Sequence, residues 1–173
     1  MTMSLYDVCV PSYLQTLAAA AGVLDKGLAH CRENGIDPEA MVETRLYPDM
    51  LPLRFQIQSV AHHSQGAIDA VHGGVFRPPG DLPALDYAGL QALVAQTRDG
   101  LGKCQPDALN AREGTELIFE FRKNRLPFTA RDFLLSFSLP NFYFHATTAY
   151  DILRSNGVPL GKRDYLGQLR MKT

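Results

Sequence analysis

Three side chains, Asn141, His145 and Gln56, carry the chemistry this sequence offers most openly. Asn141 and His145 stand four residues apart in PNFYFHATTAYDIL, and on a helix that spacing sets two side chains on one face with Cβ atoms about 5–6 Å apart. Such a pair can hold one metal ion or one substrate. Leu134, Phe137, Asn141, His145, Thr148 and Ile152 continue the same stripe, apolar at its ends and polar in its middle. If the stripe faces a core, its polar members need mutual hydrogen bonds, ordered water, a metal or a ligand, because an unpartnered buried polar group costs about 1–3 kcal/mol. Gln56 and His63 offer partners from an earlier segment. They lie two turns apart, about 10 Å by helix rise, so at most one of them should pair with His145. The alternative is a core histidine that donates to a nearby carbonyl, such as that of Ser136, freed by Pro140.

Hydrophobic periodicity supplies the elements that would position these residues. Val10, Leu14, Leu17, Ala21, Leu24, Leu28 and Cys31 recur at steps of three and four, one face of an amphipathic helix ended by Asn34-Gly35. Pro11 either opens this helix or interrupts one that starts at Ser4. Asp37-Pro38 leads a short helical piece. A second long helix is expected from near Asp49, with Pro52 in its first turn and a stripe of Leu53, Ile57, Val60, Ser64, Ala67 and Val71. Gly73 to Leu85 reads as a crossing loop, and Asp86 caps a third helix carrying Leu90, Leu93, Val94, Thr97 and Leu101. Alternation over Leu117 to Phe121, a polar turn and Leu126-Pro127-Phe128 predict a β-hairpin. Thr129 with Asp132 three residues later resembles a capping box and starts a fourth long helix that runs to Asn156-Gly157 and contains Pro140. The expected fold is all-α: a single domain over 1–173, an antiparallel four-helix bundle with a short β-hairpin inserted before the last long helix.

Composition narrows the partners. With 17 Lys+Arg against 18 Asp+Glu and a net charge of −1, the chain has no electrostatic footprint for nucleic acid. Arg122, Lys123 and Arg125 read as a solvated turn. No uninterrupted apolar run reaches the roughly 18–20 residues of a spanning helix, and the N-terminus lacks the basic flank of a signal peptide, so a cytoplasmic protein without membrane partners is expected. Cys9, Cys31 and Cys104 form no C-x-x-C pair, which favours a reducing compartment and packing roles. Adjacent helical residues diverge by roughly 100°, so His62 and His63 should not share a site, and His62 is assigned to the surface. His30 and His72 lie at helix ends, where histidine suits the dipole. Phe133, Phe137, Phe142, Phe144 and Tyr150 are expected in the core or a dimer interface. Gly157 and Gly161 mark a cap and turn.

Four phrases carry a resemblance over essentially the whole chain: SLYDVCVPSYLQTL, LYPDMLPLRFQIQ, TARDFLLSFSLPNFYFHATTAYDIL and NGVPLGKRDYLG. The sequence resembles the DinB-like (DinB/YfiT) superfamily, and within it a branch known as a domain of unknown function. The resemblance implies a bundle that homodimerises. It further implies a divalent metal, zinc or nickel, held by one histidine from the second helix and an H-x-x-x-H pair from the fourth, with some members acting as thiol-dependent transferases or isomerases. In this chain His145 matches the second histidine of the pair, Asn141 stands where the first would be, and the second-helix position falls at Gln56 or His63. If a metal binds, its set is therefore His145 with Gln56 or His63 and Asn141. The expectation is a degenerate site, lined by Gln56, Asn141, His145 and Thr148, that binds a small molecule. The alternative is a transferase or isomerase with a weak metal site or with His145 as general base.

Overall fold

The computed structural model describes residues 3–172; Met1, Thr2 and Thr173, the ends of the expected domain, lie outside the described residues. Helix α1 spans Leu5–Asn34. Ser4 and Asp7 close a reciprocal capping box at its start, which settles the alternative: Ser4 caps the helix, which runs through Pro11. Gly35, at φ 65°, ends it in the left-handed conformation that glycine adopts without penalty. The remaining helices are α2 (Pro38–Val42), α3 (Leu53–His62), α4 (Gln65–Gly73), α5 (Tyr87–Leu101), α6 (Pro106–Asn110), α7 (Ala130–Phe133), α8 (Leu139–Ser155) and α9 (Lys162–Leu166). Asp37, Asp86 and Thr129 each cap the helix that follows them.

The expected second long helix is two pieces. It starts at Leu53, because Thr44 to Pro52 form turns closed by Leu53 N–H to Thr44 O, and it breaks between His63 and Ser64. Ser64 causes the break to hold: its hydroxyl, rather than its amide, bonds Val60 O at 2.7 Å, and its backbone turns to φ −114°, ψ −86°. The fourth long helix is also interrupted. In α-geometry the ring of Pro140 would clash with the carbonyl of Ser136. The chain avoids this with a π-helical segment, Leu134–Ser138, in which Leu139 N–H reaches Leu134 O.

The hairpin forms from β2 (Glu116–Phe121) and β3 (Asn124–Thr129), paired antiparallel from Glu116↔Thr129 to Phe121↔Asn124. The supposed crossing loop contributes a third strand, β1 (Val75–Phe76), parallel to β2. Phe76 and Phe119 fix this sheet to the helices through Phe133 and Phe137, at centroid distances of 4.9 and 4.7 Å. α1 packs on α5, α8 and α9, and α3 lies along α8. The stripe Leu53, Ile57, Val60, Ser64, Ala67 and Val71 is buried throughout, as are Val10, Leu17, Leu24 and Cys31 of α1. Each large side chain so buried contributes roughly 1.5–3 kcal/mol, enough to hold two interrupted helices in register. α1 has the length and hydropathy to cross a bilayer, although no uninterrupted run of its sequence does; 44% of that window is buried inside the fold.

Gly27 marks the tightest meeting of α1 and α5. A Cβ there would overlap the Tyr87 hydroxyl and press on Leu153, and that hydroxyl donates to Leu24 O at 2.8 Å. We predict that Gly27→Ala expels Tyr87 and lowers stability by about 2–3 kcal/mol. Urea unfolding checks this, and a midpoint equal to that of the wild type would show that the interface yields without loss.

Candidate functional site

α3 and α8 face each other at Gln56 and His145. His145 Nδ1 lies 2.8 Å from Gln56 Oε1, and Gln56 Nε2 donates to Leu51 O at 2.8 Å. The second bond fixes the amide, so its oxygen faces the imidazole. An amide oxygen only accepts. His145 therefore carries its proton on Nδ1 and keeps the lone pair of Nε2 free. The Ser136 carbonyl is not its partner.

His63 joins the same site by a different contact. Its ring stacks on that of His145, with centroids 5.6 Å apart and planes 14° from parallel. Gln56 and His63 thus both reach His145, one by hydrogen bond and one by ring stacking. Twofold contact is possible because α3 ends at His62, and His63 sits in the break rather than on a continuing helix. His62 is half-buried rather than free at the surface: its Nε2 donates to Arg77 O at 2.8 Å and its ring lies tilted against Phe76, with centroids 4.5 Å apart. The rings of His62 and His63 are 5.4 Å apart. The 100° divergence of neighbours holds inside a helix and lapses at its end. Ser64 and Gly66 in the middle of the apolar stripe were the available signal for this break.

Burial governs the electrostatics. It pushes the His145 pKa down to about 4, and for His63, where the two neighbouring imidazoles add to burial, to about 3. His62 is lowered by burial and partly restored by its bond to Arg77 O. His63 and His145 are therefore neutral near pH 7. His63 Nδ1 is buried without a hydrogen-bond partner among the described residues. Phe55 and Phe144 flank His145 edge-on, at 5.8 and 5.3 Å. Asn141 Nδ2 donates to Phe137 O at 2.7 Å, and Thr148 Oγ1 to Phe144 O at 2.8 Å, so each bonds back to the carbonyl four residues earlier. His30 bonds its neighbour Asn34, and His72 is exposed.

Residues 5–166 match the family model described as Domain of unknown function (DUF1993). The chain belongs to this family. This DUF1993 protein is also similar to the crystal structure of a DinB family member from Shewanella denitrificans, with 28% sequence identity, a TM-score of 0.83, and coverage of 98% of this chain and 95% of that one. It is a DinB-like protein of unknown function. No curated protein matches it.

The three-histidine metal set of the wider superfamily does not fit the residues present in this DUF1993 chain. Asn141 replaces one imidazole, and Gln56 turns its oxygen to His145 Nδ1–H. His63 lies in a plane nearly parallel to that of His145, with ring centroids 5.6 Å apart. Among the described residues, no three His, Cys, Asp or Glu side chains group as a ligand set.

Proposed function

We propose that this chain is an antiparallel four-helix bundle of the DinB/YfiT type, a cytoplasmic homodimer in which the degenerate metal site between α3 and α8 binds a small molecule. The observation that carries the reading is the Gln56 to His145 hydrogen bond, which leaves His145 Nε2 as an open acceptor beside aromatic walls. The ligand is expected to donate a hydrogen bond to that nitrogen, with the Asn141 oxygen within the same helical turn available as a further acceptor. Thr148, lower in the stripe, contributes packing. Exposed Tyr143 and Phe144 on the outer side of α8, the latter 58% accessible, support a dimer contact.

Elemental analysis of untagged protein, joined to long-range proton–nitrogen NMR of His145 during a fragment screen, tests the proposal. The expected result is no stoichiometric zinc or nickel, a proton on Nδ1, and fragments that shift Nε2. Stoichiometric metal that disappears in His145→Ala would overturn it in favour of a metalloenzyme.

A second reading, His145 as metal-free general base, is favoured by the same open Nε2, since a base must present its lone pair to the proton it takes. Gln56 limits this role because a neutral amide orients the imidazole without stabilising its cation. Gln56→Glu supplies the missing charge. We predict that it raises the His145 pKa by about 1–2 units, read from an NMR titration. An unchanged value would mean that Gln56 does not set the electrostatics of the ring.

A further inference from the structure

Among the described residues, Arg122 is the one non-glycine residue with a positive φ, 55°. It opens the two-residue turn, Arg122-Lys123, that joins β2 to β3. Glycine is what such a position favours, because it enters the left-handed region without strain. The hairpin tip therefore keeps a cation against its conformational preference, and strain retained in this way points to a use.

The sheet gathers further charge around it. Arg77, just past β1, and Arg125 of β3 both pair with Glu120 of β2, at 2.5 and 2.8 Å, and their side chains stay 63% and 66% exposed. Arg122 and Lys123 are exposed and make no ion pair among the described residues. These four cations share one carboxylate, on a chain whose net charge is −1. Arg77 joins the group only because β1 pairs with β2, so no run of basic residues announces it.

Apolar surface lies beside the charge. Phe121, two residues past Phe119, and Leu126, its cross-strand partner, share the face of the sheet that Phe119 turns towards Phe137. Both extend beyond the cover of the helices, 42% and 47% exposed. The Arg122 guanidinium sits 5.2 Å above the Phe121 ring. Apolar side chains set among Arg and Lys suit the interface of an anionic bilayer, where rings and methyls enter the acyl boundary and long cationic side chains reach the headgroups. Strand addition by a peptide is disfavoured at this edge, because Pro127 gives the outer strand β3 no amide hydrogen there.

We propose that the hairpin tip is a docking surface for an anionic lipid bilayer. Phe121 and Leu126 enter the headgroup boundary, and Arg77, Arg122, Lys123 and Arg125 pair with lipid phosphates. The proposal does not depend on a ligand at His145.

The chain contains no tryptophan, so Phe121→Trp places a single reporter at the tip. With vesicles containing phosphatidylglycerol its emission should rise and shift to the blue, and added salt should reverse the change. Vesicles of phosphatidylcholine alone should leave it unmoved. Cosedimentation of the wild-type chain with the same vesicles gives the affinity, which Arg122→Gly should weaken by about fivefold and Lys123→Glu by about tenfold or more. Arg122→Gly relaxes the turn, so its urea midpoint should not fall and its weaker binding is not a loss of fold. No binding to phosphatidylglycerol vesicles, equal binding to phosphatidylcholine, or unchanged affinity in Lys123→Glu would overturn the proposal. Tighter binding to poly-glutamate than to the vesicles would overturn it in favour of an acidic protein.

Discussion

Ser138→Ala should cost about 2–4 kcal/mol, more than its one lost oxygen suggests. The Ser138 hydroxyl donates to His63 O at 2.6 Å and lies 2.6 Å from the Tyr13 hydroxyl. With its only proton committed to His63, Ser138 must accept from Tyr13. Burial pushes the Tyr13 pKa upward, so the phenol stays protonated and able to donate. Alanine at 138 therefore strands a fully buried donor and a buried carbonyl at once, and each stranded group costs roughly 1–3 kcal/mol. Tyr13→Phe removes the donor together with its need and should cost less, about 1 kcal/mol. In the double variant the two losses should sum to less than their total, because the phenol left stranded by Ser138→Ala is gone. Equilibrium urea unfolding of the three variants measures this. A Ser138→Ala protein within 0.5 kcal/mol of wild type would show that the hydroxyl holds nothing.

The second large effect is acid destabilisation between pH 6.5 and 4. His63 and His145 have folded pKa values of about 3 and about 4, below the roughly 6.5 of the unfolded chain. The unfolded state therefore binds protons that the folded state refuses. Stability is level above about pH 7 and falls as pH drops through 6.5 towards the folded values. Discounted for partial exposure, the loss by pH 4.5 is on the order of 3 kcal/mol for the pair. Asp7, Asp132 and Asp164, held low by hydrogen bonds from their caps and partners, lose their contribution only at lower pH, so the upper window belongs to the imidazoles. A His63→Phe/His145→Gln variant should lose most of the slope in that window and keep only the smaller part due to His62, whose pKa burial also lowers. If its stability falls as steeply as that of the wild type, the imidazoles are not responsible.

Much of the fold was legible because capping chemistry is local. Ser4, Asp37, Asp86 and Thr129 announce four helix starts through side chains that reach only two or three residues. Burial periodicity did the same for the stripe from Leu53 to Val71. The site was half legible. Periodicity and spacing brought Gln56 and His145 together, but the contribution of His62 and His63 depended on a helix break whose cause, the back-bonding of Ser64, is balanced by a partner on another helix. β1 escaped for a similar reason. Two residues have no period of their own, and Val75–Phe76 becomes a strand only because β2 offers it an edge.

Two backbone irregularities, the α3–α4 break and the π-helical segment before α8, face each other across Ser138. The link they share joins residues 75 and 125 positions apart in sequence, and so it cannot form until the first, second and last long helical segments have all arrived. It works as a latch on assembly order. Neither irregular segment can be trimmed back to a regular helix by substitutions on its own side, since straightening one leaves the other without its partner. A substitution at Ser138 therefore acts on both segments at once.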